Sequence, residues 1–87
     1  MDVRVFIGRN IERLRREKGL KQAAVAAALD IDRAYVSGLE RGERNPTVVT
    51  LWRIAEILGV PFPQLFEVPP DGEAPTSATK LREKRKD

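Results

Sequence analysis

A chain of 87 residues with a net charge of +3, 41% hydrophobic and 33% charged residues, has room for one small domain. It contains no cysteine and no histidine, which removes disulfides, thiolate metal sites, the commonest general base and the commonest metal ligand. No apolar run approaches the ~20 residues that span a bilayer, and no leader segment is visible, so the expected setting is cytoplasmic, with no membrane contact. The charge is unevenly placed: residues 1–66 hold 11 Lys and Arg against 8 Asp and Glu, while residues 67–87 hold 5 against 5. That excess favours a polyanionic partner. A domain this small buries a limited core, so self-association is a natural way to extend it.

Val3, Ile7, Ile11 and Leu14 recur at helical spacing and predict a first helix over 3–18, with Phe6 beside the stripe and Gly19 as terminator. Arg4, Arg9, Arg13 and Arg16 fall on the opposite, solvated face. A second helix spans 22–29; its alanines make it helix-prone and thin. Asp30-Ile31-Asp32 then breaks the period, and the Asp32 carboxylate is placed to cap a third helix over 33–41. Ala26 lets the two helices cross closely, while Val25, Leu29, Val36 and Leu39 form their shared seam.

The third helix leaves Arg33, Ala34, Ser37, Gly38 and Arg41 outward, a face of cations, a hydroxyl and minimal side chains that can approach a partner closely. Thr47 caps a fourth helix over 47–58, whose stripe is Leu51, Ile54, Ala55 and Leu58, with Trp52 expected at the core edge. A short fifth helix over 61–66 carries Phe62, Leu65 and Phe66, more apolar surface than a core of this size can cover. From residue 67 the composition turns to Pro, Gly and Ser and then to a basic run over 80–86, which reads as a disordered tail.

Gln22, Ala26, Ile31, Val36, Ser37, Leu39, Glu40, Gly42 and Pro46, with the run DRAYVSGLERGERNPT, resemble the Cro/C1-type (XRE) helix-turn-helix family. The likeness spans roughly residues 5–66 and is nearest to small members such as restriction–modification controller proteins. One departure stands in the turn, where the family usually has glycine and this chain has Asp30. The resemblance implies an all-α, compact five-helix Cro/C1-repressor-like domain and a regulator that binds double-stranded DNA. It further implies a homodimer on an inverted-repeat operator, with the third helix in the major groove.

On that reading Arg33 donates a bidentate pair to guanine, Ala34 touches a thymine methyl, and Ser37 reads or positions. Gly38 permits close approach. Tyr35 either reaches DNA or packs at the core edge. Lys21, Gln22, Arg41, Arg44 and Asn45 are expected on the DNA backbone. Arg15 and Glu40 form a structural ion pair that fixes the third helix. Phe62, Leu65 and Phe66 form the dimer contact. No cofactor, metal or small-molecule ligand is implied. The same fold also serves in antitoxins and bridging factors, so a protein-interaction module using 60–66 or the basic tail is the alternative. An enzyme is poorly supported, because the chain has neither histidine nor cysteine and no phosphate-cradling loop.

Overall fold

The computed structural model describes residues 2–68; the basic run at 80–86 and most of the predicted tail lie outside them. In chain order the elements are α1 (Val3–Glu17), α2 (Gln22–Leu29), α3 (Arg33–Glu40), α4 (Val48–Leu58) and a closing 3-10 helix (Phe62–Phe66). Among the described residues the fold is all-helical, and no helix is long and apolar enough to cross a membrane.

Each helix starts and stops for a local reason. The Asp2 carboxylate accepts from the Arg4 N–H and caps α1, while its side chain also takes the Arg4 guanidinium at 2.8 Å. That pairing holds the Asp2 carboxyl at about 2, well below its ordinary value. The chain leaves α1 through Gly19 at φ 71, as the sequence predicts. Thr47 Oγ1 accepts from the Thr50 N–H at 3.1 Å, so α4 begins one residue later, at Val48. Asp32 behaves differently from Thr47. It occupies the N-cap position of α3 with extended backbone, yet its side chain makes no capping bond. The cap expected of its carboxylate is therefore absent, and the first turn of α3 keeps its N–H groups free of side-chain acceptors.

The last element is a 3-10 helix because Pro61 and Pro63 bracket its start and only five residues are available. Its bonds run Gln64 N–H to Pro61 O (2.9 Å) and Glu67 N–H to Gln64 O (3.4 Å), the spacing of that tighter helix.

The core is one cluster: Ile11 and Leu14 of α1, Val25, Ala26 and Leu29 of α2, Val36 and Leu39 of α3, and Leu51, Ile54, Ala55 and Leu58 of α4. Leu65 completes it and is 0% exposed, which corrects its assignment to a dimer surface. Burying one such side chain contributes about 1.5–3 kcal/mol, so Leu65 anchors the 3-10 helix to the domain. Two further expectations fail by position. Val3, the first residue of α1, is 54% exposed; Trp52 is 53% exposed, outside the core edge expected of it. Phe6, by contrast, is buried.

Asn10 fastens the 3-10 helix from the other side. It lies on the inner face of α1, 1% exposed, and its Nδ2 donates to the carbonyls of Leu65 and Glu67, each at 2.9 Å. Both amide hydrogens are thereby used, which is what permits the side chain to be buried.

Candidate nucleic-acid interface

The α2–α3 unit is set by its turn. Asp30 takes the left-handed conformation, φ 59 and ψ 46, and is the one non-glycine residue with positive φ among the described residues. The backbone thus adopts at Asp30 the conformation a glycine would favour, and Asp is one of the few side chains that tolerates it. The N–H groups of Asp30 and Ile31 return to the carbonyls of Ala27 (3.2 Å) and Ala26 (3.0 Å), closing α2. The chain then reverses into α3, with Ala26 buried at the crossing.

Two glycines seat α3 against α1, and the first of them, Gly8, was not singled out in the sequence. A Cβ on Gly8 would lie 2.3 Å from the Leu39 carbonyl oxygen and 2.8 Å from that of Glu40, so α1 rests directly on the last turn of α3. Gly42, at φ 77, packs as closely against Val5, where a Cβ would stand 2.6 Å from Cγ2. A glycine inside a helix otherwise built of good helix formers is the available signal for such a contact, since it costs about 1 kcal/mol relative to alanine unless packing requires it. Asn10, a polar residue within the apolar stripe of α1, carried a signal of the same kind.

Arg15 reaches α3 from α1. Its Nε and Nη2 donate to Oε2 and Oε1 of Glu40 at 2.6 and 3.0 Å, and its Nη1 donates to the Leu20 carbonyl at 2.8 Å. The side chains are 9% and 4% exposed, and the paired carboxylate pushes the Arg15 guanidinium further up from its ordinary value. Gln22 joins the group: its Nε2 donates to Glu40 Oε1 at 2.9 Å. One carboxylate therefore takes donors from α1 and α2 and belongs to α3, which fixes the three helices in one relative arrangement. Gln22, expected on DNA, commits one amide hydrogen inward to Glu40, leaving its second amide hydrogen, its carbonyl oxygen and its backbone at the α2 N-terminus.

The outward face of α3 is smaller than the sequence suggested. Arg33 and Ala34 are exposed, and Arg33 makes no hydrogen bond or ion pair among the described residues. Ser37 is half-buried, and its Oγ accepts from Arg41 Nη1. Gly38 is not on that face. It is buried under the Arg44 side chain, where a Cβ would stand 3.1 Å from both Cγ and Nε of Arg44. The α3–α4 loop folds back because the Glu43 N–H bonds to the Gly38 carbonyl at 2.9 Å, and this carries Arg44 across the helix. The Arg44 guanidinium then lies over the Tyr35 ring, 5.3 Å from its centroid. Tyr35 is half-buried and packs against the core cluster, so it serves the core edge while its ring supports Arg44.

Arg41 is held as well: its Nη2 donates to Glu43 Oε1 at 3.0 Å, and the guanidinium draws the Glu43 carboxyl below its ordinary range. Lys21 and Asn45 are exposed and make no side-chain hydrogen bond. Arg33, Arg41, Arg44 and Asn45 thus belong to α3 and the loop behind it, with Lys21 and Gln22 at the start of α2.

On the far side, Trp52, Phe62 and Phe66 form a ladder, with ring centroids 5.4 and 5.3 Å apart. Phe62 is half-buried, Phe66 is 41% exposed, and Val48 and Val49 stand beside Trp52 at 70% and 69%. The exposed apolar surface is therefore centred on α4 and the two phenylalanines rather than on Leu65.

Comparison with known proteins gives the arrangement a family. A helix-turn-helix family model matches residues 11–65. A helix-turn-helix-type transcriptional regulator of Sinorhizobium fredii, y4dJ, is 51% identical over 75 residues, spanning 86% of this chain and 95% of that protein. The restriction–modification controller protein C.AhdI of Aeromonas hydrophila superposes with a TM-score of 0.71 at 36% identity, covering 76% of this chain and all of its own. The controller protein C.Esp1396I, solved as a tetramer in complex with its natural 35-base-pair operator, superposes at 0.67 and 33% identity, over 76% of this chain and 87% of that one. By its matched residues, its relatives and its fold, the chain belongs to the Cro/C1-type (XRE) helix-turn-helix family, a family of transcriptional regulators rather than of enzymes.

Proposed function

We propose that the protein is a dimeric, sequence-specific regulator of transcription that inserts α3 into the major groove of an inverted-repeat operator. The observation that carries this reading is Arg33. It stands at the N-terminal end of α3, exposed and without a partner, where recognition helices of this type reach deepest into the groove. A guanidinium there can donate two parallel bonds to O6 and N7 of guanine. The absence of a side-chain cap from Asp32 leaves the first N–H groups of α3, those of Arg33 and Ala34, open to a phosphate or base acceptor, while the Tyr35 N–H bonds to the Asp32 carbonyl. Lys21, Arg41 and Arg44 supply the salt-sensitive contacts to the backbone, and Asn45 and the second amide hydrogen of Gln22 are left to donate to phosphate.

Dimerisation rests on the Trp52–Phe62–Phe66 ladder with Val48 and Val49, a contiguous apolar surface of the kind that marks a partner contact. A two-fold axis there presents two α3 helices about one helical turn (~34 Å) apart. That C.Esp1396I was solved as a tetramer on its natural operator supports the binding of operator DNA by an assembly of such chains. The test is selection of bound duplexes from a random pool at near-physiological salt. An enriched inverted repeat with a guanine in each half-site supports the reading. No enrichment from folded protein overturns it in favour of a protein-binding role.

A further inference from the structure

The two arginines nearest the C-terminal end of α3 differ from Arg33 in one respect: both are already occupied. Arg44 lies on the Tyr35 ring, whereas Arg41 is tied by charge, with Nη2 on Glu43 and Nη1 on Ser37 Oγ. Glu43 is held in place for this. Its N–H is bonded to the Gly38 carbonyl at 2.9 Å, and Gly42 at φ 77 turns the chain so that the two side chains meet two residues apart. Glu43 is also the only carboxylate in the loop between α3 and α4, which otherwise carries two arginines and an asparagine. A fixed carboxylate on a face read as DNA-binding opposes affinity, since it meets phosphate with like charge and neutralises a cation.

We infer that Glu43 is a specificity-determining residue: it withholds Arg41 from the phosphate backbone until a duplex fits α3 closely enough to take Arg41 from it. This rests on the DNA-binding reading given above. On an ill-fitting duplex the phosphates stay too far from Arg41 to compete with a carboxylate at 3.0 Å, so Arg41 contributes little. On a well-fitting one a phosphate reaches Arg41 and the pair opens, which is inexpensive because both partners are solvent-exposed. Glu43 therefore lowers sequence-independent binding more than operator binding. The bond from Arg41 to Ser37 ties the same switch to α3, because it occupies one lone pair of the hydroxyl and leaves its hydrogen to donate toward the partner.

The experiment compares the full-length protein with Glu43→Gln on two duplexes, the one enriched by selection and a scrambled duplex of equal length and composition, across a salt series. On the scrambled duplex, Glu43→Gln is expected to steepen the dependence of log K on log salt by about one, and to tighten binding by up to about eightfold at about 0.1 M salt. On the selected duplex the slope stays unchanged. In an Arg41→Gln background the same substitution is expected to change neither. Equal tightening on both duplexes, or an effect that persists without Arg41, reduces Glu43 to a simple repelling charge and overturns the inference. So does a Glu43→Gln protein that binds both duplexes as the parent does, or less tightly. A parent protein that shows no preference between the duplexes removes the DNA-reading function itself, a different result from any of these.

Discussion

Gly8 of α1 meets Leu39 of α3 backbone to backbone: a single added carbon on Gly8 would lie 2.3 Å from the Leu39 carbonyl oxygen. The obstacle is backbone on both sides, so neither helix can yield by turning a side chain. Gly8→Ala is expected to push α1 away from the last turn of α3, at about 1–3 kcal/mol of stability. Chemical denaturation measures it. An unchanged midpoint would show that the two helices are not held at this distance.

The Arg15–Glu40 pair makes a sharper prediction because both charges are buried. Arg15→Met leaves the Glu40 carboxylate with the Gln22 amide as its one remaining side-chain donor, and is expected to cost about 3–5 kcal/mol. Gln22→Ala removes a single hydrogen bond and is expected to cost about 1–2 kcal/mol. A loss from Arg15→Met no greater than that from Gln22→Ala would mean that the carboxylate finds water when its partner is removed.

The apolar face separates residues that sequence alone groups together. Leu65→Ala is expected to cost about 2–5 kcal/mol of stability, as for any fully buried leucine. Trp52→Ser with Phe66→Asp alters exposed residues and is expected to leave a folded monomer, seen by sedimentation with an unchanged helical circular dichroism signal. A dimer that survives both substitutions would locate the contact elsewhere.

Asp2 titrates in a way that isolates the start of α1. Its carboxyl is held at about 2 by the Arg4 guanidinium, against an ordinary 3.8. Because the folded value is the lower one, the stabilisation is present above about pH 4 and is lost as pH falls from there toward 2. Carboxyl NMR titration is expected to place the Asp2 midpoint near 2, and to return it toward 3.8 in Arg4→Ala.

Much of this was legible because it is local. Helical spacing, the Thr47 cap, and glycine at 19, 42 and 59 mark the elements, and the αL residue at Asp30 follows from how few side chains accept that conformation. What stayed hidden depends on the third dimension. Asp32 has the right chemistry for a cap and the right backbone, yet its side chain does not turn to the helix. Leu65 and Phe66 are adjacent apolar residues, and it takes the 3-10 helix and its anchoring by Asn10 to leave one 0% and the other 41% exposed. Gly38 falls on the outward face of α3 by periodicity, but Arg44 arrives from the loop to cover it. The Glu43–Arg41–Ser37 chain likewise needs the loop to close before it exists.

Whether α3 reads sequence is decided by running the random-pool selection in parallel on the parent protein and on Arg33→Ala. Arg33 is exposed and unpartnered, so the substitution leaves the fold intact, and any change in preference comes from the reading face. Arg33→Ala is expected to lose preference at one base pair in each half-site, symmetrically, with about 1–3 kcal/mol of discrimination removed. An unchanged preference at every position would contradict this expectation, because α3 would then not be reading the duplex through Arg33.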